Sequence, residues 1–170
     1  MEFDENLLLM PDMKLLFQLE KNPELVDISL SLENYNFHRL DLTNKSISNL
    51  KFYNCSLRGA FLSNSVFTDC IFNFCSLVTA PAENSKFIRC YFINSDLRFI
   101  QANYCNFVGS VFDNCNLIGA DFSNSKFYNS NFEENLFSKI ASYNEETQYI
   151  EAKFENVIFN GKIVDKFNDI

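Results

Sequence analysis

From Leu40 to Phe137 an apolar residue returns at every fifth position. Cut at Leu40, the chain reads LDLTN, KSISN, LKFYN, CSLRG, AFLSN and so on to SNFEE. The third residue of each block is Leu, Ile, Phe or, at Ala82 and Ala102, Ala. Twenty successive central positions are apolar in a chain that is 47% hydrophobic. Chance gives this roughly once in a million for a fixed phase. The period fits neither regular element. On a helix, five residues rotate the apolar position by about 140°, so no face collects them. On a flat strand an odd period alternates faces. The chain must therefore turn after each block and repeat one local conformation.

Four right-angle turns close a coil of twenty residues, and the residues carry that second period too. Leu57, Leu77, Leu97 and Leu117 form one series. Phe52, Phe72, Phe92, Phe112 and Phe132 form another, and Phe67, Phe87, Phe107 and Phe127 a third. Residues one coil apart share an environment, as they do in a stacked solenoid. The chain has 20 Phe and no Trp, which suits a narrow interior filled by one repeated shape. All six cysteines, Cys55, Cys70, Cys75, Cys90, Cys105 and Cys115, stand first in their blocks. That position points inward and takes small residues, so they read as small hydrophobes with free thiols. Asn44, Asn64, Asn84 and Asn124, last in their blocks, read as corner residues that tolerate turn dihedrals.

The blocks ADFSN (120–124) and CNLIG (115–119) resemble the pentapeptide-repeat family: a small residue, Asp or Asn, Leu or Phe, a polar residue, then a variable one. The resemblance implies an all-β fold, a right-handed four-sided (quadrilateral) parallel β-solenoid. It also implies two functional expectations. Some members protect DNA gyrase or topoisomerase IV by imitating duplex DNA, and some dimerise through their C-terminal ends.

The expected organisation is a capping segment with a short helix over 1–29, the solenoid over 30–161 and a C-terminal cap or tail over 162–170. Pro11 is expected in the first turn of the helix, whose apolar residues would cover the first coil. LSLEN and YNFHR (30–39) are already in phase. After Phe137 the phase breaks. A loop insertion at about 138–151 precedes Phe154 and Phe159, which lie seventeen and twenty-two residues beyond Phe137. Where Ala82 and Ala102 narrow the wall, Ile100 is expected to fill the space.

No catalytic constellation, metal set or cofactor motif is legible, so a non-enzyme is expected. His38 is the single histidine, the four glycines form no phosphate loop, and the cysteines lack zinc spacing. No secretory leader or membrane-spanning segment is legible, which makes the cytoplasm the expected location. The net charge of −8 is uneven. Residues 1–34 carry eight acids against Lys14 and Lys21, whereas residues 35–134 carry eight acids and eight bases. A balanced rod has neither the negative stripe of a DNA mimic nor the basic patch of a nucleic-acid binder.

The expected partner is a protein. Ile71, Tyr91 and Val111 occupy one outer column, with Tyr53, Phe74 and Ile93 beside them, and a contiguous apolar patch marks an interface. Such a stacked wall is expected to be flat. The competing site is the tail around Val164 and Phe167, through which a homodimer would form.

Overall fold

The computed structural model describes residues 3–29, 31–135, 153–155 and 157–164. Each pentapeptide contributes one side of a four-sided parallel β-solenoid. The corners explain the period. From Asn34 to Glu134 every fifth residue has positive φ, between 47° and 69°. Most of these residues are Asn or Gly, for which the left-handed region is least costly. Thr79 is the poorest fit, a β-branched, exposed residue at φ 57°. Thr79→Asn is therefore expected to raise stability by about 1 kcal/mol. An unchanged or lower denaturant midpoint would contradict this.

Two adjacent sides carry three-residue strands. One sheet stacks Ser31–Glu33, Lys51–Tyr53, Ile71–Asn73, Tyr91–Ile93, Val111–Asp113 and Asn131–Glu133. The other stacks Ser46–Ser48, Val66–Thr68, Lys86–Ile88, Asn106–Val108 and Lys126–Tyr128. The remaining two sides are joined by single bridges, such as Ser56 to Ser76 to Asp96 and Pro81 to Gln101. Register is strict throughout: Phe52 pairs Phe72, Phe72 pairs Phe92, and Phe67 pairs Phe87.

The central rings stack in two columns. Phe52, Phe72, Phe92, Phe112 and Phe132 follow one another at centroid distances of 5.1, 5.0, 4.9 and 4.6 Å. Phe67, Phe87, Phe107 and Phe127 do the same at 5.1, 5.0 and 4.8 Å. The columns meet edge to face, as Phe87 meets Phe92. Ile100 is buried beside the narrowed wall, but Phe122 also fills it. Its ring meets Phe107 and Phe112 of the preceding coil edge-on, at 5.8 and 6.1 Å.

The first positions are more than small apolar sites. At three corners their side chains serve the backbone. Ser110 Oγ donates to the Phe87 carbonyl and accepts from the Cys90 N–H. Ser85 and Ser125 repeat the arrangement. The cysteines use the same geometry as thiol donors: Cys105 Sγ to the Ala82 carbonyl at 2.9 Å and Cys115 Sγ to the Phe92 carbonyl at 3.2 Å. At the fourth corner the first-position N–H bonds a carbonyl three residues back, as Ala60 N does to Leu57 O and Ile100 N to Leu97 O. No side-chain hydroxyl is needed there, and the column holds Leu40, Ala60, Ala80, Ile100 and Ala120. The cysteines are thus hydrogen-bond donors rather than mere small hydrophobes.

All six thiols are free and buried. Burial pushes both Cys105 and Cys115 up to about 12. Slow labelling by an aqueous thiol reagent is expected until the protein unfolds, since the thiolate is the reactive form. Fast labelling of the native protein would contradict the inward placement. These two groups keep their proton in the folded state above the pH at which an unfolded thiol loses it. Their contribution to stability is therefore full below about pH 9 and falls as pH rises toward about 12. A denaturation series across that range checks the sign.

At the N-terminal end, α1 spans Met13–Lys21. Pro11 lies before the helix rather than in its first turn, because Asp12 is the N-cap and accepts from the Leu15 N–H at 2.7 Å. Leu19 is fully buried in the core, with Leu15 and Leu16 packed against it. The preceding segment is a strap: Leu9 bridges Tyr35 beneath the first coil. Leu32 and Phe37 are buried, so the first half coil is in phase.

The loop expected at 138–151 lies outside the described residues, as does Phe167. Beyond it Phe154 pairs with Phe127 and Phe159 with Phe132, each one coil plus seven residues later. The strand Lys162–Val164 turns back antiparallel on Val157–Phe159 through Asn160 and Gly161, at φ 44° and 75°. Two residues of positive φ are what a tight hairpin requires. Val164 thus belongs to a hairpin that continues the larger sheet. Among the described residues, no helix is long and apolar enough to cross a membrane.

Candidate protein-interaction surface

In the strand triplets from Ser31–Glu33 to Asn131–Glu133, and in Lys153–Glu155, the central residue is buried and its two neighbours point outward. Parallel register then aligns the outward residues one coil apart. Ile71, Tyr91 and Val111 form a ladder on the larger sheet. Ile88, Val108 and Tyr128 form a second ladder on the smaller sheet. The two ladders flank one corner, because Ile88 and Tyr91 stand on either side of Arg89, and Val108 and Val111 on either side of Gly109. The apolar surface is therefore a ridge wrapped around a solenoid edge. It is not the flat wall that one column implies. Tyr91 is 41% exposed and Tyr128 40%, so each presents much of its ring to solvent.

The apex of the ridge is polar. The Arg89 guanidinium donates to both carboxylate oxygens of Asp69, at 2.7 and 2.6 Å. That hydrogen-bonded pairing holds the Asp69 carboxyl below its usual range. The pair neutralises itself and leaves the ridge without a strong field of either sign.

The other candidates divide. Ile93 lies at the far edge of the larger sheet, between Asn73 and Asp113. Tyr53 stands in the same column two coils before Ile93, and Phe74 at the adjoining corner; the two rings meet edge to face, at 5.6 Å and 77°. With Phe3, Asp4 and Leu7 of the strap they line a cleft away from the ridge. The ladder Ile88, Val108, Tyr128 was missed in the sequence although its spacing of twenty is plain. Its value depends on which two adjoining sides carry strands, and only the folded coil shows that.

His38 is exposed and lines a shallow cleft of about 380 Å³ with Glu5, Asn36 and Arg58. Among the described residues, no group of three His, Cys, Asp or Glu side chains could hold a metal ion.

Several solved structures are similar to parts of this chain. QnrB1, a plasmid-mediated fluoroquinolone resistance protein, is 16% identical over 73% of this chain and 81% of its own, with a TM-score of 0.41. Rfr23, a pentapeptide repeat protein from the cyanobacterium Cyanothece, is 21% identical over 71% of this chain and 64% of its own, with a TM-score of 0.29. HetL, a pentapeptide repeat protein involved in heterocyst differentiation regulation in the cyanobacterium Nostoc, is 12% identical over 79% of this chain and 93% of its own, with a TM-score of 0.22. No curated protein matches the sequence significantly. Two family models match: a pentapeptide repeat region over residues 65–141 and pentapeptide repeats over residues 46–80. Together they span residues 46–141, more than half of the 170 residues. The chain belongs to the pentapeptide-repeat family.

Proposed function

We propose that the chain is a non-catalytic binding or scaffold module whose partner is a protein docked along the corner ridge. The observation that carries this reading is the pair of outward apolar ladders, Ile71–Tyr91–Val111 and Ile88–Val108–Tyr128, flanking one edge. Exposed tyrosines on a rigid scaffold are suited to interface anchors, because they offer large area at low entropic cost. The test is capture from the native host with the full chain and with a Tyr91→Glu, Tyr128→Glu variant that keeps its melting temperature. Loss of a partner from the variant supports the ridge, and equal recovery from both overturns it. The cytoplasm is the proposed location. Six cysteines acting as thiols toward the backbone suit a reducing compartment.

The ridge also bears on self-association. A homodimer built on it would be broken by Tyr91→Glu, whereas one built on the C-terminal end would be broken by deleting residues 166–170. The hairpin places an exposed strand, with Ile163 73% accessible, at the end of the larger sheet. The end-paired form is preferred on that ground. Light scattering at tens of micromolar that finds only monomer would reject both.

Gyrase or topoisomerase IV protection by DNA imitation is the alternative reading. It needs negative potential along the rod, and residues 35–134 are balanced in charge. Little or no inhibition of gyrase supercoiling is expected at micromolar protein. Potent inhibition that salt abolishes would restore this reading.

A further inference from the structure

The strap and the first two coils enclose a cleft of about 510 Å³ lined by Phe3, Asp4, Leu7, Asn34, Tyr53, Asn54 and Phe74. We propose that it binds an organic cation with an alkylammonium head. Three aromatic rings reach it from three parts of the chain. Tyr53 and Phe74 stand 77° apart, so two walls are close to perpendicular, and Phe3 supplies a third. An ammonium group is attracted to aromatic faces, and cages of this composition select quaternary amines.

The electrostatics select the sign. The lining holds one acid, Asp4, and no base. Glu33 pairs in register with Tyr53 and adds a second carboxylate on the same outer side. Residues 1–34 as a whole carry eight acids against two bases. An anion is repelled by that field, and a neutral apolar ligand leaves it unused.

The cleft is also built rather than incidental. Asn54, 4% exposed, accepts from the Asp4 N–H at 2.8 Å and donates to the Asp4 carbonyl at 3.2 Å and to Asn34 Oδ1 at 2.8 Å. Both backbone groups of Asp4 are thereby tied to the corner, which sets Phe3 and Asp4 against the coil. The volume lies within the range of small-molecule sites and exceeds the bare head group. The cation could come from a free quaternary amine or from a lysine side chain of another protein.

Both sources are tested with the full chain by NMR titration, following the Tyr53 ring. The probes are choline, its neutral isostere 3,3-dimethylbutanol, and a short peptide carrying trimethyl-lysine. Choline or the peptide is expected to bind about tenfold more tightly than the isostere. A tighter peptide assigns the site to a protein side chain, and equal affinity assigns it to a free amine; either result supports the cation site. Phe3→Ala and Asp4→Asn are each expected to weaken the cation several-fold with the melting temperature retained, because Asn keeps the turn-capping role of Asp4. Equal binding of choline and isostere would overturn the proposal. So would no binding of either cation at tens of millimolar, or full affinity in both variants. The ridge variant Tyr91→Glu, Tyr128→Glu should bind the cations unchanged, so failure of the ridge and failure of the cleft are separable.

Discussion

Phe92→Ala is expected to lower stability by about 3–5 kcal/mol, read as a fall in denaturant midpoint. The ring is 1% exposed. It lies between Phe72 at 5.0 Å and Phe112 at 4.9 Å, nearly parallel to both, and it meets Phe87 edge-on at 5.6 Å. Truncation removes the transfer free energy of a ring and two stacked neighbours together. The hole cannot close easily, because backbone hydrogen bonds hold Phe72 and Phe112 in strands on either side. Phe92→Leu should cost less, since leucine occupies the same central position at Leu57, Leu77, Leu97 and Leu117. An unchanged midpoint for Phe92→Ala would remove this column from the load on the fold.

Ser110→Ala is expected to cost about 1–3 kcal/mol despite deleting a single oxygen. Ser110 is fully buried. Its hydroxyl accepts from the Cys90 N–H at 3.3 Å and donates to the Phe87 carbonyl at 2.9 Å. Alanine leaves the Cys90 N–H facing an apolar methyl, and a buried donor without a partner carries its full desolvation cost. Ser110→Cys should recover part of the loss. Cys90, one coil earlier in the same column, already donates to the Phe67 carbonyl at 3.4 Å. A thiol that performed no better than alanine, or an alanine variant as stable as the parent, would show that the hydroxyl ladder does not contribute. The same argument explains why Ala60, Ala80 and Ala120 are tolerated at the fourth corner, where the N–H finds a carbonyl in its own coil.

Much of the fold was legible from residues alone, because each coil repeats one environment and the environment selects the residue. Central Phe and Leu marked the interior, and the spacing of twenty named which residues would stack. Asn at the end of a block marked the left-handed corner, although Phe74, Phe99 and Tyr104 adopt it as well. Those three are not turn formers. Their conformation is imposed by coils on either side, so tertiary context overrides local preference there.

The candidate site was legible only in part. One apolar column, Ile71–Tyr91–Val111, was visible by its period. The ridge was not, because Ile88, Val108 and Tyr128 gain meaning only beside a corner whose two sides both carry strands. Tyr53 and Phe74 read as part of the same patch, yet the strap draws them into a cleft with Phe3, about fifty residues and more away along the chain.

The division has a physical cause. A short-range repeat acts through nearest neighbours, so period, inward position and stacking order are determined by the sequence block by block. The placement of non-repeating segments depends on long-range contacts that no period encodes. Asn54 holds Asp4 across fifty residues, Leu19 seats the helix on the first coil, and Asn160 and Gly161 reverse the last strand. Those contacts, together with which two sides of the coil carry strands, were decided by the tertiary structure, and they determine where the ridge and the cleft lie.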